Sequence, residues 1–202
     1  MRERLQRSFF SRDTRLVARE LLGHLLVRII PGVGRLSGII VETEAYCPND
    51  LASHARNGQT KRNASMYGDA GTAYVYLIYG MHYCFNTVTE SIDVPAAVLV
   101  RALEPYEGLD LMEIHHRSVD RNQLTKPTLC CGPARLCKAL KIDLANNGTS
   151  ITNPDSEIFL QYGSNIPDGS VLITPRKRVT GDFSARSALW RYTIRDSVYL
   201  SS

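Results

Sequence analysis

Residues 36 to 46 run from an apolar middle, Ile39-Ile40-Val41, straight into Glu42-Thr43-Glu44-Ala45-Tyr46. Successive side chains of a strand point to opposite faces, so Ile40, Glu42, Glu44 and Tyr46 share one face while Val41, Thr43 and Ala45 share the other. Any fold of this chain must therefore accommodate two carboxylates about 7 Å apart on one side of a sheet. They can serve as the acid and base of a glycoside hydrolase or as ligands for a divalent metal. Alternatively one is catalytic and the other structural, or both are plain charges on the wet side of a sheet.

The surrounding pattern mixes helices and strands without a regular βαβ order. Asp13 caps a helix predicted over 13 to 26, where Val17, Leu21, Leu22, Leu25 and Leu26 recur at three- and four-residue spacing. Pro31-Gly32 and Gly34 turn the chain into the carboxylate strand. Residues 47 to 70 are polar and form a long loop, which inside a compact domain is usually functional. Residues 72 to 79 are a second strand, Gly80 turns it, and 83 to 89 return as its hairpin partner. Val98-Leu99-Val100 is a short buried strand. Glu104-Pro105 opens a helix to His116 that buries Leu109 and Met112, and Gly132-Pro133 opens another that buries Leu136, Cys137 and Leu140. Loops are expected at 118 to 128 and 143 to 156. Short strands follow at Ile158 to Leu160, Val171 to Ile173 and Trp190 to Ile194. The expectation is an α+β fold: one domain over residues 1–202, with a curved, largely antiparallel sheet, a protruding β-hairpin and packed helices.

Composition narrows the partners. The chain has 202 residues and 44% hydrophobic residues, enough for one sizeable core. No run of about 18 apolar residues offers a membrane span. The charged start, Met1 to Arg7, lacks the apolar core of a signal peptide, so an intracellular protein is expected. The five cysteines then read as reduced thiols; Cys130, Cys131 and Cys137 with His115 or His116 fit no usual zinc spacing. Net charge is only +4, but just five of the 24 cationic residues are lysines, and arginine's planar fork suits phosphate.

The tyrosines give the carboxylates a context. Tyr74 and Tyr76 share one face of the second strand, Tyr46 ends the first, Tyr67 and Tyr83 lie nearby, and His54 sits in the intervening loop. Each alone reads as core packing with its hydroxyl tied off; together they are a platform for stacking a flat ring such as a nucleobase. Electron-rich faces also attract a cationic ring. Tyr79 differs, because it precedes the turn glycine Gly80 and should project from the hairpin tip. An exposed aromatic there is a candidate wedge between base steps.

These segments together resemble the alkyladenine (3-methyladenine) DNA glycosylase family. The likeness rests on Glu42 to Tyr46, on His54, on Gly71-Thr72-Ala73-Tyr74-Val75-Tyr76-Leu77-Ile78-Tyr79-Gly80-Met81, and on Arg101-Ala102-Leu103-Glu104-Pro105. Cys131-Gly132-Pro133-Ala134-Arg135-Leu136, Phe9-Phe10 and Leu21-Leu22-Gly23 are similar to further family segments, and the likeness weakens after about residue 145. The resemblance implies Glu44 as the general base that activates water against the anomeric carbon. It implies Tyr46, His54 and Tyr76 as walls around an extruded base, with His54 also offering its backbone N–H to the base edge. Asn86 would crowd out guanine's exocyclic amino group. Tyr79 would fill the gap in the helix, bordered by Met81 and His82, the latter standing where an aromatic such as tyrosine is expected. Arg101 would hold water and phosphate. Double-stranded DNA with damaged purines is the implied partner and a monomer, held with DNA in cytoplasm, nucleoid or nucleus, the implied form. No metal or cofactor is required. With no lysine inside these segments, simple hydrolysis to a free base and an abasic site is expected, without Schiff-base strand cleavage. Two other readings remain open from the residues themselves: a carbohydrate glycosidase using Glu42 and Glu44, and a non-catalytic module that binds unstacked nucleic acid.

Overall fold

The structure is a computed structural model that describes residues 2–116 and 125–201. Eight strands join one sheet, and every pairing is antiparallel. Two short helices, α1 (Arg7–Phe10) and α2 (Thr14–Glu20), precede β1 (Leu25–Ile30) and the long β2 (Gly34–Tyr46). The hairpin of β3 (Ala73–Ile78) and β4 (His82–Val88) follows, then β5 (Ala97–Glu107) and α3 (Leu109–His115). The remainder holds α4 (Lys126–Leu129), α5 (Pro133–Ala139), β6 (Ile158–Gln161), β7 (Val171–Thr174), α6 (Phe183–Ser187) and β8 (Arg191–Ile194). The path is β3-β4-β5-β2-β1-β6, with β8 also on β2 and β7 outside it.

The α+β sheet with its hairpin matches the sequence expectation, but several boundaries move. The helix predicted over 13–26 ends at Glu20, although Asp13 does cap it by accepting from Arg15 and Leu16 N–H. Gly23 takes φ +84°, which turns the chain, and Leu25 and Leu26 lie in β1 instead. Their aliphatic neighbours through Ile30 suit a strand as well as a helix, so spacing alone could not separate them. The short strand around Val98 is the start of the eleven-residue β5, which carries Glu104 and Pro105 that were expected in a helix. Pro105 sits opposite Gly38 at a register shift, where a missing N–H is tolerated. The helix begins only after Gly108, at φ +75°; it buries Met112 and leaves Leu109 half-buried. Of the loop expected at 118–128, residues 118–124 lie outside the described residues, and 126–128 belong to α4.

The fork at β2 positions the candidate site side chains. Its first half pairs with β1, and Glu42, Thr43 and Glu44 pair with Thr193, Tyr192 and Arg191 of β8. On the other side β5 runs along nearly all of β2, with register shifts between Ile40 and Glu42 and between Glu42 and Thr43. Val41 on one strand and Arg101 on the other are thereby left without a partner. Bulges of this kind bend a strand and re-aim its side chains. Arg101 is consequently turned toward Glu42 and Glu44. On the opposite face Thr43 donates its hydroxyl to Ala18 of α2 (2.7 Å), tying strand to helix. The main core of Leu21, Leu22, Ile40, Phe85, Leu103 and Leu136 lies between the sheet and the helices.

Candidate active site

Both glutamates are fully buried, at 0% exposure, so neither is a surface charge. Their partners separate their roles. Glu42 accepts at Oε1 from Arg101 Nε (3.2 Å), Arg191 Nε (2.7 Å) and Ser201 Oγ (2.8 Å), and at Oε2 from Ser201 N–H (2.7 Å). A carboxylate offers about four acceptor positions, so these four donors match its capacity in number. Glu44 accepts from the Tyr46 hydroxyl (2.9 Å) and Arg101 Nη1 (3.2 Å) at Oε2, and from Lys177 N–H (2.7 Å) at Oε1. One position therefore remains on Glu44 Oε1, beside Lys177. Burial opposes the charge of Arg101, but Glu44 and Glu42 more than compensate and hold its pKa above the ordinary arginine value.

Tyr46 joins this carboxylate to a cavity of about 330 Å³ whose walls include Tyr46, His54, Tyr74, Tyr76, Asn86 and Arg178. Burial, reinforced by Glu44, pushes the Tyr46 hydroxyl pKa well up, so it stays protonated and donates. Behind the ring, the Arg176 guanidinium lies 4.7 Å from the Tyr46 centroid and 4.8 Å from that of Trp190. Arg176 also donates to Ala45 O (3.0 Å) and makes a buried ion pair with Asp50, which pins the start of the 47–70 loop to this wall. Across the cavity, His54 Nδ1 hydrogen-bonds the Tyr74 hydroxyl (2.8 Å), and the His54 and Tyr76 rings meet edge-on at 4.5 Å and 77°. The loop holds His54 through Asn63, whose Nδ2 donates to His54 O (2.9 Å) and Gly58 O (3.0 Å). Asn86 is buried on β4 and donates from Nδ2 to Tyr74 O (2.9 Å), which fixes its orientation at the cavity wall.

The hairpin tip stands clear of the body. Tyr79 and Gly80 have φ of +53° and +71°, and Met81 N–H donates to Ile78 O (3.3 Å). Two positive φ values at the centre of a tight turn are what a hairpin of type I′ requires. Tyrosine at such a position is uncommon, and the residue is 78% exposed, with Met81 at 70%. His82, also exposed, lines a second cavity with Tyr79 and Arg101.

The fold thus brings Tyr46, His54, Tyr76 and Asn86 to the walls of one cavity, sets Glu44 behind Tyr46, places Arg101 on the second cavity, and carries Tyr79, Met81 and His82 on the adjoining hairpin. Tyr67 packs against the Met66–Tyr74 cluster and Tyr83 against the main core, so neither joins the cavity walls. Sequence reasoning missed Asn63, Arg176, Lys177, Arg191 and Ser201. Asn63 lies in the polar 47–70 loop with nothing to single it out, and the other four come from the last quarter of the chain, where no spacing linked them to β2. Among the described residues no group of three or more His, Cys, Asp or Glu could hold a metal ion. His115 and His116 face the backbone carbonyls of Ala139 (2.7 Å) and Leu129 (3.0 Å).

The histidines give a pH prediction. His24 and His116 are buried, and burial holds both below the ordinary pKa of 6.5; burial, with Arg62 and Arg56, does the same to His54. A histidine depressed in the folded state contributes fully above its unfolded pKa, and that contribution is lost as pH falls from there through the folded value. The melting temperature should therefore begin to drop below about pH 6.5, before most carboxylates titrate. A thermal scan that stays flat from about pH 7.5 to about pH 5.5 would contradict this.

Residues 8–198 match the family described as methylpurine-DNA glycosylase. The chain is 42% identical over 184 residues to a Francisella tularensis protein named "Putative 3-methyladenine DNA glycosylase", covering 91% of each chain. Proteins of the same name from Clostridium perfringens and Herpetosiphon aurantiacus are 43% identical over 205 residues and 38% identical over 197. The matches cover 98% of both chains in the first case, and 98% of this chain and 88% of the relative in the second. With the family pattern spanning nearly its whole length, the chain belongs to the methylpurine-DNA glycosylase family.

Proposed function

We propose that this protein draws alkylated or deaminated purines out of double-stranded DNA and hydrolyses their N-glycosidic bond with water activated by Glu44. Its family makes it a DNA repair glycosylase, a hydrolase of N-glycosyl bonds whose substrate is DNA. The observation that carries the finer reading is the bond from the Tyr46 hydroxyl to Glu44, which sets a buried carboxylate directly behind the wall of an aromatic cavity. The extruded base lies among Tyr46, His54 and Tyr76, while Tyr79 occupies the space it leaves. Extrusion costs a few kcal/mol and is cheapest at damaged pairs, which gives selectivity before any chemistry. Water bound at the open position of Glu44 Oε1 gives up its proton to the carboxylate as its oxygen attacks C1′. An alkylated purine already carries a positive charge, so it departs with the bonding electrons as a neutral base; a deaminated purine is neutral and must also take up a proton from solvent water as it leaves. An abasic site remains. The protein acts as a single-domain monomer on DNA within the cell.

The carbohydrate reading fits less well. Such an enzyme needs both carboxyl groups facing the sugar, whereas Glu42 is enclosed by Arg101, Arg191 and Ser201. A purely binding module has no use for a buried carboxylate beside its ring pocket. The test is incubation with methylated duplex DNA and chromatography of the released material. Free methylpurines are expected, and their absence would overturn the reading. Tyr79→Ala should slow single-turnover excision roughly tenfold to a hundredfold, since base–aromatic stacking contributes about 1–3 kcal/mol. An unchanged rate would remove Tyr79 from the wedge role.

A further inference from the structure

Beside the aromatic cavity lies a second of about 320 Å³, and Tyr46, Tyr76, Ile78 and Arg178 line both. Its walls carry Arg101, Arg135, Lys177 and Arg178 and, among the described residues, no aspartate or glutamate. Three of these cations are already engaged. Arg101 holds the glutamates, Arg135 Nη1 donates to Thr128 O (2.8 Å), and Lys177 Nζ donates to Ser201 O (2.5 Å). Arg178 has no hydrogen bond or ion pair among the described residues, and it is exposed. Its backbone sits at φ +55°, a region that a bulky side chain enters only when its surroundings force it. The forcing contacts lie immediately before it in the chain: the buried Arg176–Asp50 ion pair, and the Lys177 N–H bond to Glu44. The same interactions that shape the catalytic wall therefore aim a free guanidinium at the junction of the cavities.

We propose that the second cavity seats a phosphodiester of the strand that gives up its nucleotide, with Arg178 as the free contact and Lys177 and Arg135 adding charge. This rests on the function proposed above. With the base in the aromatic cavity, C1′ must lie within reach of Glu44, whose donors Arg101 and Lys177 belong to the second cavity. The phosphates flanking C1′ then fall on that side, toward Tyr79 and His82 at the hairpin. A guanidinium fork matches phosphate oxygens in charge and geometry.

The test uses three duplexes that each carry one hypoxanthine. One is unmodified; the others have a neutral methylphosphonate in place of the 5′ or the 3′ flanking phosphate. Binding of parent and Arg178→Ala is measured to each, with hypoxanthine release scored on the unmodified duplex. For one phosphate, neutralisation should weaken the parent roughly tenfold. Arg178→Ala should weaken it similarly, and the combination should be no worse than either change alone. The variant's salt slope should also be smaller by about 1. Losses that simply multiply at both phosphates would overturn the seat. Absence of hypoxanthine release by the parent would instead strike deaminated purines from the proposed substrates, so the two failures are distinguishable.

Discussion

Glu42→Ala should unfold at markedly lower temperature, with a loss of about 3–5 kcal/mol, the range seen when one partner of a buried ion pair is removed. The reason lies in what the substitution leaves behind. Arg101 and Arg191 would keep buried guanidinium groups without this carboxylate, and Ser201 would lose an acceptor for both its N–H and its hydroxyl. Removing one member of such a network costs more than its net worth, because the survivors stay desolvated. Thermal or denaturant unfolding measures the effect directly. A variant with parental stability and no activity would place Glu42 in the chemistry instead of the framework.

Glu44→Gln should behave in the opposite way. The amide is nearly isosteric, and its carbonyl can still accept from Tyr46 or Lys177, so the fold and the aromatic cavity should persist. Without a carboxylate the variant cannot take a proton from water, and excision should fall by roughly 10² to 10⁴-fold. Lesion-bearing duplex should still bind, as fluorescence anisotropy would report. The two neighbouring glutamates thus predict different failures, one of stability and one of rate.

The contrast between them also marks the limit of what the sequence made legible. Period-two alternation placed Glu42, Glu44 and Tyr46 on one face, and the tyrosine strand with its turn glycine announced the β3–β4 hairpin. Both signals are local, since they depend on side-chain direction along a single strand. What distinguishes the glutamates is not local. Glu42 is enclosed by Arg191 and Ser201, 149 and 159 positions away, and Glu44 meets Lys177 across 133. Contacts over such separations follow from how β8 pairs beside β2, which no periodicity reveals. Arg101 was singled out through a family resemblance, yet its reach to both carboxylates follows from a bulge that the pattern around Val98 does not announce. The aliphatic run after Gly23 failed for a different reason: its spacing satisfies a helix and a strand equally, and the glycine's left-handed turn decided between them.

The most direct measurement is single-turnover release of hypoxanthine from a duplex with one lesion, comparing the parent with Glu44→Gln at saturating protein. The parent should yield free base and a strand that breaks at that position only after alkali, and the variant should hold the same duplex nearly intact. Equal release by the two proteins would contradict the assignment of Glu44 as the group that activates water.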